Sequence, residues 1–237
     1  FGAQMAAARI KGFQGDDLSR PDTIEACAKH FAGYAFAEAG RDYNTVDVSN
    51  TTLHNTILPP FKAAAEAGVA TFMNSFSELD GVPATADAYL QNTLLKAQWD
   101  YRGLVVSDWD SIGEMQEHGY SADLSQAAAQ AMNAGNDIDM ESAAYIGHLA
   151  GLVKSGEVAE TVVDNAVRRV LARKYRWGLF EDTYRYASAS REQIDLVRAE
   201  HIVAARDAAR KSIVLLKNDN DILPLATSGQ RIAVIGP

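Results

Sequence analysis

The 237 residues are 47% hydrophobic and 22% charged, the make-up of a globular chain able to bury a large core. A formal net charge of -9 excludes the clustered Lys and Arg of a nucleic-acid footprint and reads as a solvated acidic surface. The single cysteine, Cys27, excludes an intrachain disulfide and a thiolate metal cage, and no apolar run reaches the ~18 to 20 residues that span a bilayer.

The N-terminal "FGAQMAAARIKGF" lacks the charged-then-apolar order of a signal peptide, and the chain opens without Met and stops on "RIAVIGP". Both ends therefore read as cut. Four short apolar runs follow one another, "EACAKH", "GVATFMNS", "GLVVSD" and "GNDIDM", each expected to form a strand. Helical patterns occupy 60–67, 87–98, 111–118 and 124–134, so the repeat is one βα unit of parallel sheet at each step. "AETVVDNAVRRVLARKYRWGLF" then places Val162, Val163, Ala166, Val167, Val170, Leu171 and Tyr175 on one stripe, expected to cover the sheet and to close at Gly178.

The aperiodic "EDTYRYASAS" marks a boundary, giving a first domain over 1–180, a linker over 181–190 and a second unit over 191–237. That unit opens with a helical pattern from Arg191 through Ala209 and continues with two β-rich runs, "SIVLLKND" and "RIAVIGP". A complete barrel of eight βα units takes about 250 residues. Four strands before the boundary mean either a small open sheet or the latter half of a barrel.

In a parallel sheet the functional side chains gather where strands end, because the loops there converge on one face. The four ends carry Lys29 and His30; Met73, Asn74, Ser75 and Phe76; Ser107, Asp108 and Trp109; and Asp137 to Glu141. A basic pair, a carboxylate and an indole on one rim suit a polyhydroxylated ligand, and a carboxylate under an anomeric carbon can act as nucleophile. Asp108 reads either as that carboxylate or as a salt-bridged rim residue. Lys29 and His30 read either as ligand contacts or as one inward and one outward strand residue.

For Asp110 the capping reading is preferred, since "SIGE" over 111–114 spells a capping box. Trp109 could equally be core, and Glu114 with His118 has the spacing of two metal ligands but is read as a surface pair. The terminal "AVIGP" stops before a dinucleotide fingerprint could be read, and Asn50-Thr51-Thr52 is a glycosylation sequon of a kind that arises by chance.

Taken in order, "KHFAGY", "GRDYNTVDVSNTTLHNTILPPFKAAAEAGVATFMNSFSELDGVPAT", "GLVVSDWDSIGEMQEHG", "AMNAGNDIDMES", "VRRVLARKYRWGLFED" and "ARKSIVLLKNDNDILPL" resemble glycoside hydrolase family 3, nearest its bacterial periplasmic β-glucosidases. The resemblance implies an α/β fold: the second half of a (β/α)8 TIM-like barrel, a linker and the first strands of an α/β sandwich domain. It implies a retaining β-glucosidase with Asp108 as nucleophile. Lys29 and His30 would bind glycone hydroxyls, Met73 and Phe76 would line the glycone pocket, and Trp109 would flank the leaving group.

Phe76 stands where Tyr is frequent in the family, and Ala35 where Gly is usual. The family's acid/base Glu and its early-strand Asp have no counterpart here, so the chain reads as an internal piece of a longer enzyme. No cofactor or metal is expected. The expected partners are a β-linked gluco-oligosaccharide or aryl glucoside and the remaining barrel and sandwich segments of the same enzyme, with a homodimer left open; neither nucleic acid nor membrane is expected. Location in the periplasm or outside the cell rests on the resemblance. Two rivals stay open, a β-xylosidase of the same family and a catalytically silent carbohydrate-binding half-barrel. An N-acetylglucosaminidase would need an Asp-His dyad that "KHFAGYAFAEAG" lacks.

Overall fold

Apolar β-rich runs alternate with helix formers along the chain, and the structure, a computed structural model describing residues 1–196 and 198–236, is accordingly α/β. It divides into two units, Phe1–Tyr186 and Ala187–Pro237. The first unit begins with α1 (Gly2–Gln14) and β1 (Cys27–Phe31). A short α2 (Asn50–Thr52) runs through wider turns at Leu53–Ile57 into α3 (Leu58–Glu66), whose Pro59 sits in the first turn, where no backbone donor is required. Then come β2 (Thr71–Asn74), a two-residue hairpin of β3 (Glu78–Leu79) and β4 (Val82–Pro83), a π-type helix over Tyr89–Gln98, and β5 (Leu104–Val106). Helices α4 (Leu124–Ala134), α5 (Ala144–Ser155) and α6 (Glu160–Arg176) complete the unit.

Strands β1, β2 and β5 lie side by side in that order, all parallel, with Ala28 opposite Phe72 and Phe72 opposite Val105. The fourth expected strand, "GNDIDM", is reduced to a single bridge between Val106 and Ile138. The cause is a side chain: Asp137 Oδ2 accepts the Val105 amide at 3.0 Å, taking a donor that a strand carbonyl would otherwise hold. The peptide bonds Lys29–His30 and Phe31–Ala32 are cis, and the β1–β2 register shifts between Ala28 and Phe31.

One face of the sheet packs on an aromatic cluster in which the Phe31 ring lies 5.2 Å from both Phe61 and Phe72, and Tyr101 lies 4.9 Å from Phe72. The Tyr101 hydroxyl is 2.9 Å from the Ala70 carbonyl and 3.2 Å from that of Leu104, bracing β2 against β5. A second cluster of Ile112, Met115, Ala127, Ala131, Met132, Leu152 and Ala166 lies among α4, α5 and α6. Small alanines let these helices approach closely. Helix α4 is started by Asp123, whose side chain accepts the Gln126 amide at 2.8 Å, and ended by Gly135 at φ 105°.

Two expectations change here. The α6 stripe is only half covered: Ala166 is buried, whereas Val167, Leu171 and Tyr175 stand exposed. The face that meets the sheet instead runs Val162, Ala166, Arg169 and Arg173, and its two arginines reach Asp137 and the Ala70 carbonyl. The capping box over 111–114 does not form. Ser111 is buried with its hydroxyl 3.0 Å from that of Thr85, which occupies the group a cap would need. Asp110 takes φ 54°, a conformation Asp tolerates, and makes a tight turn before a single short 3-10 turn at Gly113–Met115.

In the second unit the expected helix over 191–209 takes form as α7 (Ala189–Asp195) and α8 (Ala199–Ser212). Val197 between them, and Pro237 of the last β-rich run, lie outside the described residues. The two β-rich runs carry no strand pairing among the described residues, and Leu216, Val234 and Ile235 are more than nine-tenths exposed. A strand needs a neighbour for its backbone groups and a layer for its apolar face, and this unit supplies neither.

Candidate active site

The rim is built from the strand ends. Strand β1 delivers Lys29 and His30, β2 delivers Met73 and leads to Phe76, and β5 leads through Ser107 to Asp108 and Trp109. His30 and Asp108 meet, with Nε2 3.2 Å from Oδ2, and Lys29 Nζ lies 3.8 Å from Met73 Sδ. Four of the six expected residues thus form two pairs across the strand ends. Trp109 is 62% exposed, so its indole is not core.

Asp108 is held by its own backbone. Its Oδ1 accepts the Trp109 amide at 2.7 Å, and its side chain keeps only 11% of its surface. Oδ2 is buried and receives no hydrogen bond among the described residues, the His30 nitrogen lying close but not aligned. A carboxylate oxygen without a donor keeps its lone pairs available to an electrophile. The segment after the reduced fourth strand clamps the loop from below: Ser107 donates its amide to the Ile138 carbonyl at 2.9 Å, its hydroxyl accepts the Met140 amide at 2.8 Å, and Asp110 donates to the Met140 carbonyl at 2.9 Å.

Burial pushes the His30 imidazole below the usual histidine range; Asp108 and Asp42 oppose this and Lys29 adds to it. That shift favours the neutral imidazole, which can both donate and accept hydrogen bonds. Glu114, half-buried, is pushed above the usual carboxylate range by burial first and then by Asp110, Asp108 and Asp42. Its expected partner His118 makes only the backbone hydrogen bond to it, and among the described residues no three His, Cys, Asp or Glu side chains gather as metal ligands.

Three residues of the rim went unassigned in the sequence. Tyr34 packs at a tilt against His30 with ring centres 4.9 Å apart, its hydroxyl donates to Asp42, and Tyr43 packs edge-on against Phe76 at 4.6 Å. Their only sequence signal is their place inside "KHFAGY" and "GRDYN", since an aromatic spacing of nine residues across irregular backbone has no periodicity to read.

Fold and rim define an α/β domain of the parallel-sheet class with carboxylate, imidazole, amine and aromatic groups gathered at the carboxyl edge of the strands. Residues 2–172 match the glycosyl hydrolase family 3 N terminal domain, and the chain belongs to that family. It is 40% identical over 236 residues to a periplasmic beta-glucosidase of Salmonella typhimurium, covering 98% of this chain and 31% of the relative. It is 36% identical over 240 residues to a putative beta-xylosidase of Formosa agariphila, covering 99% of this chain and 31% of the relative. Among solved structures, a beta-glucosidase from Listeria innocua in complex with isofagomine superposes with a TM-score of 0.91 at 38% identity, over 94% of this chain and 32% of that one. The chain spans about a third of the length of the relatives it matches.

Proposed function

We propose that this chain is the part of a longer retaining β-glycosidase, a β-glucosidase, that carries the nucleophile. The observation that carries the reading is the buried, unquenched Oδ2 of Asp108 beside His30 at the end of β5. Asp108 attacks the anomeric carbon, an acyl-type glycosyl ester forms, and the bond to the leaving oxygen breaks as that oxygen takes a proton from an acid elsewhere in the polypeptide. Water then cleaves the ester with net retention. Lys29 and His30 hold glycone hydroxyls, Met73 and Phe76 line that pocket, and Trp109 forms the wall on the leaving-group side.

The domain reading follows the same course: 1–180 as the latter half of a TIM-like barrel, 181–190 as linker, and 191–237 as the opening of an α/β sandwich. Support comes from β1, whose outer edge pairs with no strand among the described residues and borders a groove of about 570 Å³ lined by Ile10, Phe13, Ile24 and Cys27. An exposed edge of that kind calls for a neighbouring strand. The periplasmic relative supports a location outside the cytoplasm, and among the described residues no helix is long and apolar enough to cross a membrane. The β-xylosidase relative keeps pentosides as the second substrate class.

The test is labelling of the longer enzyme with a 2-fluoro-β-glucoside followed by peptide mapping. The sugar is expected on Asp108. A label on Asp110 or any other residue, or hydrolysis without a label, overturns the assignment, and a protein that binds glucose without turnover or label identifies the silent binding module.

A further inference from the structure

The loop over 41–44 touches the rim through one carboxylate. Asp42 Oδ1 accepts the Tyr34 hydroxyl and also the Tyr43 amide, the latter at 3.2 Å. Tyr34 in turn lies between two rings, 4.9 Å from His30 on one side and 6.1 Å from Phe76 on the other, and Phe76 meets Tyr43 at 4.6 Å. The contacts close a circuit: Asp42, Tyr34, Phe76, Tyr43 and back to Asp42, with His30 resting on its Tyr34 member.

His30 has little else to orient it. Its nitrogen is 3.2 Å from Asp108 Oδ2 but not aligned for a hydrogen bond, so the ring plane is set by packing. We infer that Tyr34 and Asp42 are a positioning pair that sets the plane of His30, and through it the glycone hydroxyl that His30 holds during attack by Asp108. Both act through His30 rather than on the sugar. The inference rests on the proposed glycosidase reading, and its chemistry is that of an imidazole packed at a tilt against a phenol whose hydroxyl is itself anchored to a carboxylate oxygen.

A role in general folding would weaken turnover of every substrate alike, whereas positioning of His30 acts through one sugar hydroxyl. The experiment therefore uses the longer enzyme with Tyr34→Phe, Asp42→Ala and the double variant, on aryl β-glucosides and their monodeoxy analogues. Each single variant is expected to lower kcat/KM on the parent glucoside about three- to tenfold, the range for the net loss of one ordinary hydrogen bond. The double variant should lose no more than the worse single one. The penalty should vanish on one deoxy analogue, the same one on which His30→Ala loses its effect.

A loss below twofold in both single variants, full multiplication in the double, or an equal penalty on every analogue overturns the inference. Tyr34→Phe keeps the ring and its packing, so its thermal midpoint separates loss of fold from loss of positioning. If the parent enzyme takes no 2-fluoroglycoside label, the glycosidase reading itself has failed, an outcome distinct from a labelled parent with indifferent variants.

Discussion

Asp137 offers the sharpest test of how this domain holds the carboxyl edge of its sheet together. Its side chain keeps 1% of its surface and lies under β5, accepting Arg169 Nε at 3.0 Å and Nη2 at 2.5 Å, with Lys96 Nζ at 3.6 Å and the Val105 amide at 3.0 Å on its other oxygen. Asp137→Ala removes an anion between two cations, which in buried pairs costs ~3 to 5 kcal/mol, and orphans an amide, which costs ~1 to 3 kcal/mol more. Arg169 and Lys96 retain 28% and 17% of their side-chain surface and can partly rehydrate. That recovery brings the net loss to about 4 kcal/mol. Asp137→Asn keeps an acceptor for Val105 and should lose about half as much. Urea unfolding followed through Trp99, Trp109 and Trp177 reads the effect: with m of about 3 kcal/mol/M the midpoint should fall by more than ~1 M. A midpoint for Asp137→Ala within ~0.3 M of the parent, at unchanged m, would refute the reasoning. Adding Lys96→Met should return part of the loss, because one stranded cation is then gone.

Burial holds the Lys96 ammonium down to about 8, while the unfolded chain titrates near the ordinary lysine value. Between those two values the unfolded state binds more protons, so this group raises stability as pH rises from about 8 toward 10; Lys96→Met should flatten that slope, and equal slopes would count against it. Gly103→Ala puts a methyl group 2.1 Å from the Tyr101 hydroxyl and 2.5 Å from the Ala70 carbonyl, and should cost about 2 to 3 kcal/mol by overpacking. An unchanged thermal midpoint would mean the β2–β5 brace is looser than it is drawn. Trp109→Ala, at an exposed ring, should leave that midpoint alone while raising KM for aryl glucosides several-fold in the longer enzyme; a stability loss above ~1 kcal/mol would make the indole structural instead.

Period and chain order were enough to find β1, β2 and β5, since each is a short apolar run bounded by polar residues and joined to the next by helix formers. The same reasoning brought Lys29, His30, Met73, Phe76, Asp108 and Trp109 to strand ends, because a parallel sheet leaves its loops on one edge. It could not tell which of them touch. That His30 faces Asp108, and Lys29 faces Met73, depends on the shifted register after Ala28.

Local pattern misled where a side chain from elsewhere claimed a backbone or hydroxyl group first. Asp137 takes the Val105 amide and shrinks the fourth strand to a bridge, and Thr85 takes the Ser111 hydroxyl and dissolves the capping box. The α6 stripe likewise hid two arginines whose partners, Asp137, Glu25 and the Ala70 carbonyl, lie 32 to 148 residues away. Sequence by itself determined β1, β2 and β5, their parallel run and six residues at their ends, because hydrophobic period and strand polarity are local properties. Only the tertiary structure decided the pairings within the rim and the Tyr34–Asp42 contact, because a hydrogen bond or ion pair is set by distance in space, and residues far apart in the chain compete for the same donors.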